Sequence, residues 1–466
     1  MSMTEHSSEE RTIAAISTPP GSGGIGIIRI SGPLSLHVLK SVFSPHNPEC
    51  DFRSHHLFYG TINDPENQRL LDEVLVVYMA APSTYTREDV VEVHCHGSYL
   101  VLQSILEVLL RQNLDLAQPG EFTKRAFLNG RIDLTRAEAV IDILAAKTRK
   151  GIDIAQDQLA GALYQRVDTI RRSLTTMRAV IEVSIDFPDE EIEIVDHEVL
   201  RVQLESEVAR PIEYLLRCAD QGRIYREGVS VVIVGRPNVG KSSLLNALLQ
   251  EERALVTAVP GTTRDSIEEC VDVLGMPVRL ADTAGIRKGA DEVEELGIQR
   301  ARRLVNQADV IFFMLDGAVG VTPEDLELFT TVSHKPMIVL INKIDLIQDS
   351  AEIELAALGQ DVPRVPISAK SLYGLEDLKK LLFETVTGDK DQWQEEGCAP
   401  NLRHKQSLQK AHSACTSVRE GLEAGVSTDL LAVDLQEILD QLGDIVGETT
   451  TEDILDVIFE QFCLGK

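Results

Sequence analysis

The stretch "VSVVIVGRPNVGKSSLLNALL" constrains this chain more than any other. Its opening apolar run reads as a strand buried on both faces, the pattern of a parallel sheet covered by helices. The run ends in "GRPNVGKSS", Gly235 to Ser243, and a helical apolar pattern follows at once. Glycines such as Gly235 and Gly240 let backbone N–H groups turn inward around phosphate oxygens at a helix N-terminus. Lys241 is placed to reach the outer oxygens and the Ser242 hydroxyl to hold Mg²⁺, with Ser243 beside it. Taken by itself, Asn238 reads as a turn residue.

Further apolar runs, "PVRLADT", "DVIFFMLD", "PMIVLINK" and "VPRVPISA", alternate with helical patterns from about 224 to 387. That alternation predicts a mostly parallel sheet. Three more pieces sit at strand ends in the order a GTPase needs. In "DTAG", Asp282 is suited to hold Mg²⁺ through water and the Gly285 N–H to meet a γ-phosphate. In "NKID", Asn342 to Asp345, the Asp345 carboxylate accepts from the N1–H and 2-amino groups that guanine presents together. Adenine would leave that carboxylate unpaired. In "SAK", Ser368 closes the strand and Ala369 offers its N–H to the guanine oxygen; Asn342 and Lys343 of "NKID" join the same GTP-binding set. GTP binding is the consequence. The residue after "DTAG" is Ile286, where small GTPases often carry the glutamine that orients water. Glu292, Glu294 and Glu295 in "DEVEELG" are alternative carboxylates for that task, and residue type alone does not choose among them.

A length of 466 residues suits about three domains. Up to Asn129 the texture is β-rich, with "TIAAIST", "GIGIIRIS", "EVLVVYMAA" and "DVVEVHCHG" reading as strands. From 130 to 223, apolar residues recur at Leu159, Leu163, Val167, Ile170, Leu174, Met177 and Ile181, the spacing of one long amphipathic helix. Beyond 388 the helical period returns at Leu431, Leu435, Ile438, Leu442 and Ile445, and Thr449 with Glu452 offers a capping box. The expected organisation is therefore α/β and multidomain: residues 1–129, a helical domain from 130–223 and 388–466, and a Ras-like P-loop domain inserted at 224–387.

Several suggestive motifs are set aside on physical grounds. "GSGGIG" fits dinucleotide-binding spacing, but the β-branched "IIRISG" behind it reads as strand where that fingerprint needs a helix. In "VHCHG", His94 and His96 share a strand face while Cys95 points away, leaving too few ligands for zinc. The acidic "IDFPDEEIEIVD" reads as a solvated helix boundary broken at Pro188. A net charge of −29 lacks the surplus of Lys and Arg that drives nonspecific nucleic-acid binding. Seven scattered cysteines read as free thiols in a reducing compartment, which predicts a cytoplasmic protein. No apolar run reaches the roughly 18 residues of a membrane span.

"TPPGSGGIGIIRISG", "PGEFTKRAFLNGRIDLTRAEAV", "PGTTRD", "DTAGIR…DEVEELGI" and the terminal "FCLGK" extend this pattern across the chain. With the P-loop they resemble the MnmE (TrmE) family of tRNA-modification GTPases, end to end and in order. The resemblance implies a β-rich N-terminal tetrahydrofolate-binding domain that dimerises, so that a homodimer is expected. It implies work with the FAD-carrying flavoprotein MnmG in a heterotetramer. Together they install a carboxymethylaminomethyl or aminomethyl group at C5 of the wobble uridine of certain tRNAs, with tRNA reached largely through the partner. It further implies K⁺ held by Asn238, Thr257, Val259 and Thr262, and Mg²⁺ held by Ser242 and Thr263. Among the open carboxylates it selects Glu294 to position water beside Lys241. Arg29, Glu92, Arg131 and Lys466 become contacts to a 5,10-methylene or 5-formyl tetrahydrofolate. Cys463 stands divided between a thiolate nucleophile toward uridine and a structural role; Gly465 and Lys466 fit a prenylation box poorly. A regulatory GTPase switch in ribosome assembly would share the nucleotide motifs, but the N-terminal segment and the tail favour modification chemistry.

Overall fold

The computed structural model describes residues 11–186, 196–251, 269–282, 303–347, 358–359, 362–388, 397–463 and 465. Most of the acidic run beyond Asp186, and the first ten residues, lie outside these. The chain forms two compact units, one of residues 1–141 with 440–466 and the other of 142–439.

The first unit begins with strands β1 Ile13–Ile16 and β2 Ile25–Ser31, helix α1 Ser35–Val42, and strands β3 Phe43–Pro45, β4 His56–Asn63, β5 Leu70–Met79 and β6 Val90–His96. Helix α2 Tyr99–Leu110, strand β7 Asp115–Leu116, and helices α3 Glu121–Leu128 and α4 Leu134–Ala145 follow. The seven strands form one sheet in the order β3-β4-β5-β6-β2-β1-β7. All neighbours are antiparallel except β1 and β7. Period-2 alternation decides its faces. Ile28, Ile30, Val91, Val93 and Cys95 enter a core with Val38, Leu39, Ile105 and Leu109 of α1 and α2, so Arg29 and Glu92 stand on the opposite face, directly paired in register. Strand β2 starts at Ile25 immediately after the glycines, so no helix N-terminus faces them. Cys95 is buried while His96 is exposed and bonded to Asp72. No group of three or more potential metal ligands occurs among the described residues.

In the second unit, helix α5 Arg149–Ala160 precedes α6 Ala162–Asp186, α7 His197–Gln203, a π-helical turn at Leu204–Ala209 and α8 Arg210–Glu227. The long apolar stripe is confirmed from Leu163 to Ile181, all six residues buried on α6. Leu159 does not belong to it. Gly161 adopts a left-handed conformation that ends α5, and Leu159 lies on that separate helix. The seam expected at 223–224 falls inside α8, which continues to Glu227 before Gly228 releases the chain into the next strand.

That strand, β8 Val229–Val234, is followed by α9 Lys241–Glu251, β9 Glu269–Val273, β10 Met276–Asp282, β11 Val310–Asp316, α10 Pro323–Val332, β12 Met337–Asn342, β13 Arg364–Pro366 and α11 Leu375–Thr387. The sheet order is β13-β12-β11-β8-β10-β9, parallel throughout except for β9 against β10. Every residue of β11 and β12 is buried. Val231, Ile233, Phe312 and Met314 enter one core, and Val232, Val234, Ile311 and Phe313 the other. Covering both faces leaves only the strand ends free to present polar groups.

The chain closes with α12 Leu402–Ala424, α13 Thr428–Val446 and α14 Glu452–Phe459. Leu431, Leu435, Ile438, Leu442 and Ile445 are all buried. The Thr449–Glu452 capping box does not form. The chain turns back so that the Thr449 hydroxyl donates to the Asp440 carbonyl at 3.2 Å, and the last helix starts after Thr451, whose side chain makes no capping hydrogen bond. Among the described residues no helix is long and apolar enough to cross a membrane.

Leu174 is fully buried at the middle of the α6 stripe. Leu174→Ala is expected to destabilise its unit by about 2–5 kcal/mol, seen as an earlier transition in calorimetry; an unchanged transition would contradict the packing.

Candidate functional site

Parallel pairing brings the nucleotide motifs together. Asp316 of β11 stands beside Asn342 of β12, and Asp282 of β10 beside Ile233 of β8. The loop from Gly235 to Gly240 therefore leaves its strand between two other motif-bearing ends. Its backbone is shaped for a ligand: Asn238 has φ +64° and Gly240 φ +107°, so N–H groups turn to one side. A Cβ on Gly240 would lie 2.3 Å from the Asn342 amide nitrogen, so only glycine fits there.

Asn342 is 3% exposed and holds two loops at once. Its Nδ2 donates to the Val239 carbonyl at 2.7 Å, and its Oδ1 accepts from the Ala369 N–H at 3.0 Å. The Ala369 N–H expected to face guanine thus has an internal partner in this structure. Beside it, the Ser368 hydroxyl donates to Asp345 Oδ1 at 2.7 Å, leaving the exposed carboxylate oriented by the loop that follows β13. Lys343 has φ +65° and reaches Asp316 Oδ2 at 2.6 Å. Lys241 begins α9, is 7% exposed, and donates to the carbonyls of Gly235 at 2.9 Å and Arg236 at 2.8 Å. Ser242 and Ser243 follow it on the exposed first turn. The arrangement gathers N–H donors, an ammonium and hydroxyls where phosphates need them, with an acidic base-reading group beside them.

Asp282 is described here by its backbone position at the end of β10. Gly285, Thr257, Val259, Thr262, Thr263 and Glu294 lie outside the described residues.

In the first unit, Arg29 Nε donates to Glu92 Oε1 at 2.9 Å, and His94 Nε2 lies 3.4 Å from Glu92 Oε2. The hydrogen bond with His94 and the neighbouring Arg29 guanidinium hold the Glu92 carboxyl below its ordinary range, against the opposing effect of burial. Arg29 stands 5.7 Å from the ring centroids of both Tyr85 and Phe122. Arg131 approaches the same Tyr85 ring at 4.7 Å and donates to the Tyr85 carbonyl at 2.8 Å. Two cations, a carboxylate and an aromatic face therefore converge from residues up to 102 positions apart. The tail joins the same unit. Ser17 Oγ donates to the Gly465 carbonyl at 3.0 Å, and the Gly120 N–H reaches the Cys463 carbonyl at 3.5 Å. Gly465 has φ +88°, and a Cβ there would lie 2.3 Å from the Ile16 carbonyl. Cys463 is exposed; Lys466 lies outside the described residues.

The family model for the MnmE helical domain matches residues 134–463, and that for the GTP-binding protein TrmE N-terminus matches 12–131. The tRNA modification GTPase MnmE of Desulfotalea psychrophila is 59% identical over 98% of this chain and 99% of its own length. Those of Natranaerobius thermophilus and Carboxydothermus hydrogenoformans are each 45% identical over 98% of this chain and their full length. The chain belongs to the MnmE family of tRNA modification GTPases. Membership accounts for a TrmE-type N-terminal domain at 12–131 and a match to the MnmE helical-domain model across 134–463.

Sequence reading missed Asp316, Tyr85 and Phe122. Asp316 carried a signal: an acidic residue ending a wholly apolar run, as Asn342 ends the next. Tyr85 carried none, because it lies in a turn-rich segment where no periodicity gives direction.

Asp345→Asn is expected to shift nucleotide preference from GTP toward XTP, whose carbonyl at purine position 2 accepts from the new amide. Competition binding measures it, and undiminished preference for guanine would remove Asp345 from base recognition. For Glu92, the lowered folded value means its stabilisation is present above the unfolded carboxyl pKa of about 4.3 and fades as pH falls through the folded value. The melting-temperature gap between the native chain and Glu92→Gln should narrow below about pH 4; a constant gap from pH 7 to 3 would refute this.

Proposed function

We propose that this chain is a K⁺-dependent GTPase that works with the flavoprotein MnmG. The pair adds a carboxymethylaminomethyl or aminomethyl group at C5 of the wobble uridine of certain tRNAs, using a folate one-carbon unit. The observation that carries the reading beyond GTP hydrolysis is the convergence of Arg29, Glu92 and Arg131 on Tyr85 in a domain of the TrmE N-terminal type. A carboxylate suits the amino-pterin N–H groups, an aromatic face suits its ring, and guanidinium groups suit a glutamyl tail. Lys466 and Cys463 are further groups of that pocket in this reading, supported by the hydrogen bonds that tie the tail's Gly465 and Cys463 carbonyls to Ser17 and Gly120.

In the nucleotide site, Lys241 and the loop N–H groups bind phosphate oxygens, and Asp345 reads the base. Ser242 and Thr263 are the residues to hold Mg²⁺; Asn238, Thr257, Val259 and Thr262 are those to hold K⁺, consistent with the exposed, left-handed Asn238. Such cations supply fixed positive charge where negative charge spreads in phosphoryl transfer. Glu294 positions the water. A homodimer, and tRNA contact made largely through the partner, agree with a net charge of −29. Cytoplasmic residence follows from the substrate. Support for the ribosome-assembly alternative is lacking, since the full-length relatives are tRNA modification GTPases.

Two measurements test the reading. GTP turnover should be several-fold to orders of magnitude faster in K⁺ than in Na⁺; equal rates would remove the K⁺ site. Cells lacking the protein should lose the modified wobble uridine in a tRNA nucleoside profile, and an unchanged profile would overturn the modification role while leaving the GTPase intact.

A further inference from the structure

The second residue of the phosphate loop has a partner that neither the nucleotide motifs nor the modification chemistry uses. Arg236 Nε donates to Asp325 Oδ1 at 2.8 Å, across 89 positions of sequence. Asp325 is wholly buried, and the Arg236 side chain is 19% exposed. The other carboxylate oxygen, Oδ2, accepts from the Thr322 N–H at 3.0 Å and from its hydroxyl at 2.8 Å. Both oxygens are therefore committed to named donors, and the capping box at Thr322 locks Asp325 onto the start of α10. That helix follows β11, so the carboxylate is fixed to the core of the α/β unit and not to a loop.

The same Arg236 gives its carbonyl to Lys241 Nζ at 2.8 Å. One residue is thus gripped by its side chain from below while its backbone holds the phosphate-binding ammonium. The Gly235 carbonyl is the other acceptor, at 2.9 Å, so the ammonium rests on two successive carbonyls of the loop. Withdrawing the side-chain anchor frees the Arg236 carbonyl to shift, and the resting place of the Lys241 ammonium shifts with it.

We propose that Asp325, acting through Arg236, is a positioning residue for GTP hydrolysis: it sets the phosphate-loop carbonyl that places Lys241 for the developing charge on the transferred phosphoryl group. An interaction that matters most in the transition state appears in kcat and leaves KM almost unchanged. Asp325→Asn retains an oxygen for the Thr322 N–H but gives up the ionic bond to Arg236. Arg236→Ala removes the link from the other side without touching α10. Small misplacements of a catalytic group cost roughly 10- to 100-fold in rate.

The experiment is steady-state GTP hydrolysis by the full chain, with melting temperatures recorded alongside. Asp325→Asn and Arg236→Ala should each lower kcat by about tenfold or more with KM changed less than about threefold. The double variant should be no slower than either single one, because both cut one chain of contacts. Arg236→Lys should recover part of the rate. Leu174→Ala, a core change on α6 outside this chain of contacts, should lower the melting temperature and retain kcat. The proposal is overturned if Arg236→Ala keeps its kcat, if KM alone rises, or if Asp325→Asn loses only thermal stability as Leu174→Ala does. Arg236→Ala and Arg236→Lys decide the matter even if Asp325→Asn fails to fold.

Discussion

The amide of Asn342 joins the end of β12 to the phosphate loop on one side and to the loop after β13 on the other. Each of these bonds is buried, so losing either leaves a backbone group without water, at about 1–3 kcal/mol. That penalty makes the three loops behave as one body. The end of β12, the loop after β13 and the Gly235–Gly240 loop hold their spacing because a single side chain bridges them. Gly240 completes the fit by allowing the loop to approach the amide more closely than any side chain permits.

The frame beneath these loops is rigid for a different reason. Apolar residues on alternating positions fill two cores, so a slip of one residue would send each side chain into the wrong core and undo the packing of both. The β9–β10 hairpin runs between the two segments that flank it in the nucleotide motifs, and its turn at Leu274 and Gly275 rests on the helical part of the same unit. The Thr148 hydroxyl, which caps α5, also donates to the Gly275 carbonyl at 2.8 Å.

The first unit solves another problem with the same alternation. A strand whose alternate positions fill a core must place the intervening positions on the far face, and there Arg29 and Glu92 are brought opposite each other. Their side chains are 22% and 18% exposed, sheltered enough for the pairing to be stronger than at an open surface. Tyr85 and Phe122 supply that shelter and present ring faces to the guanidinium groups.

The phosphate loop, the strands around it and the α6 stripe were legible because each rests on demands made by neighbouring residues: glycine torsions, a lysine at a helix start, or apolar spacing within one element. The end of α5 at Gly161 and the place of Thr449 were harder, since one left-handed residue or one chain reversal reassigns its neighbours. Residue pattern alone was enough to expect GTP binding at the ends of a parallel sheet and to match the MnmE pattern along the whole chain. Only the tertiary structure decided that Asn342 clamps two loops, that Asp325 grips Arg236, and that Tyr85 gathers Arg29 and Arg131. Those contacts join residues tens of positions apart, and their strength comes from burial, which no residue carries until the cores have closed.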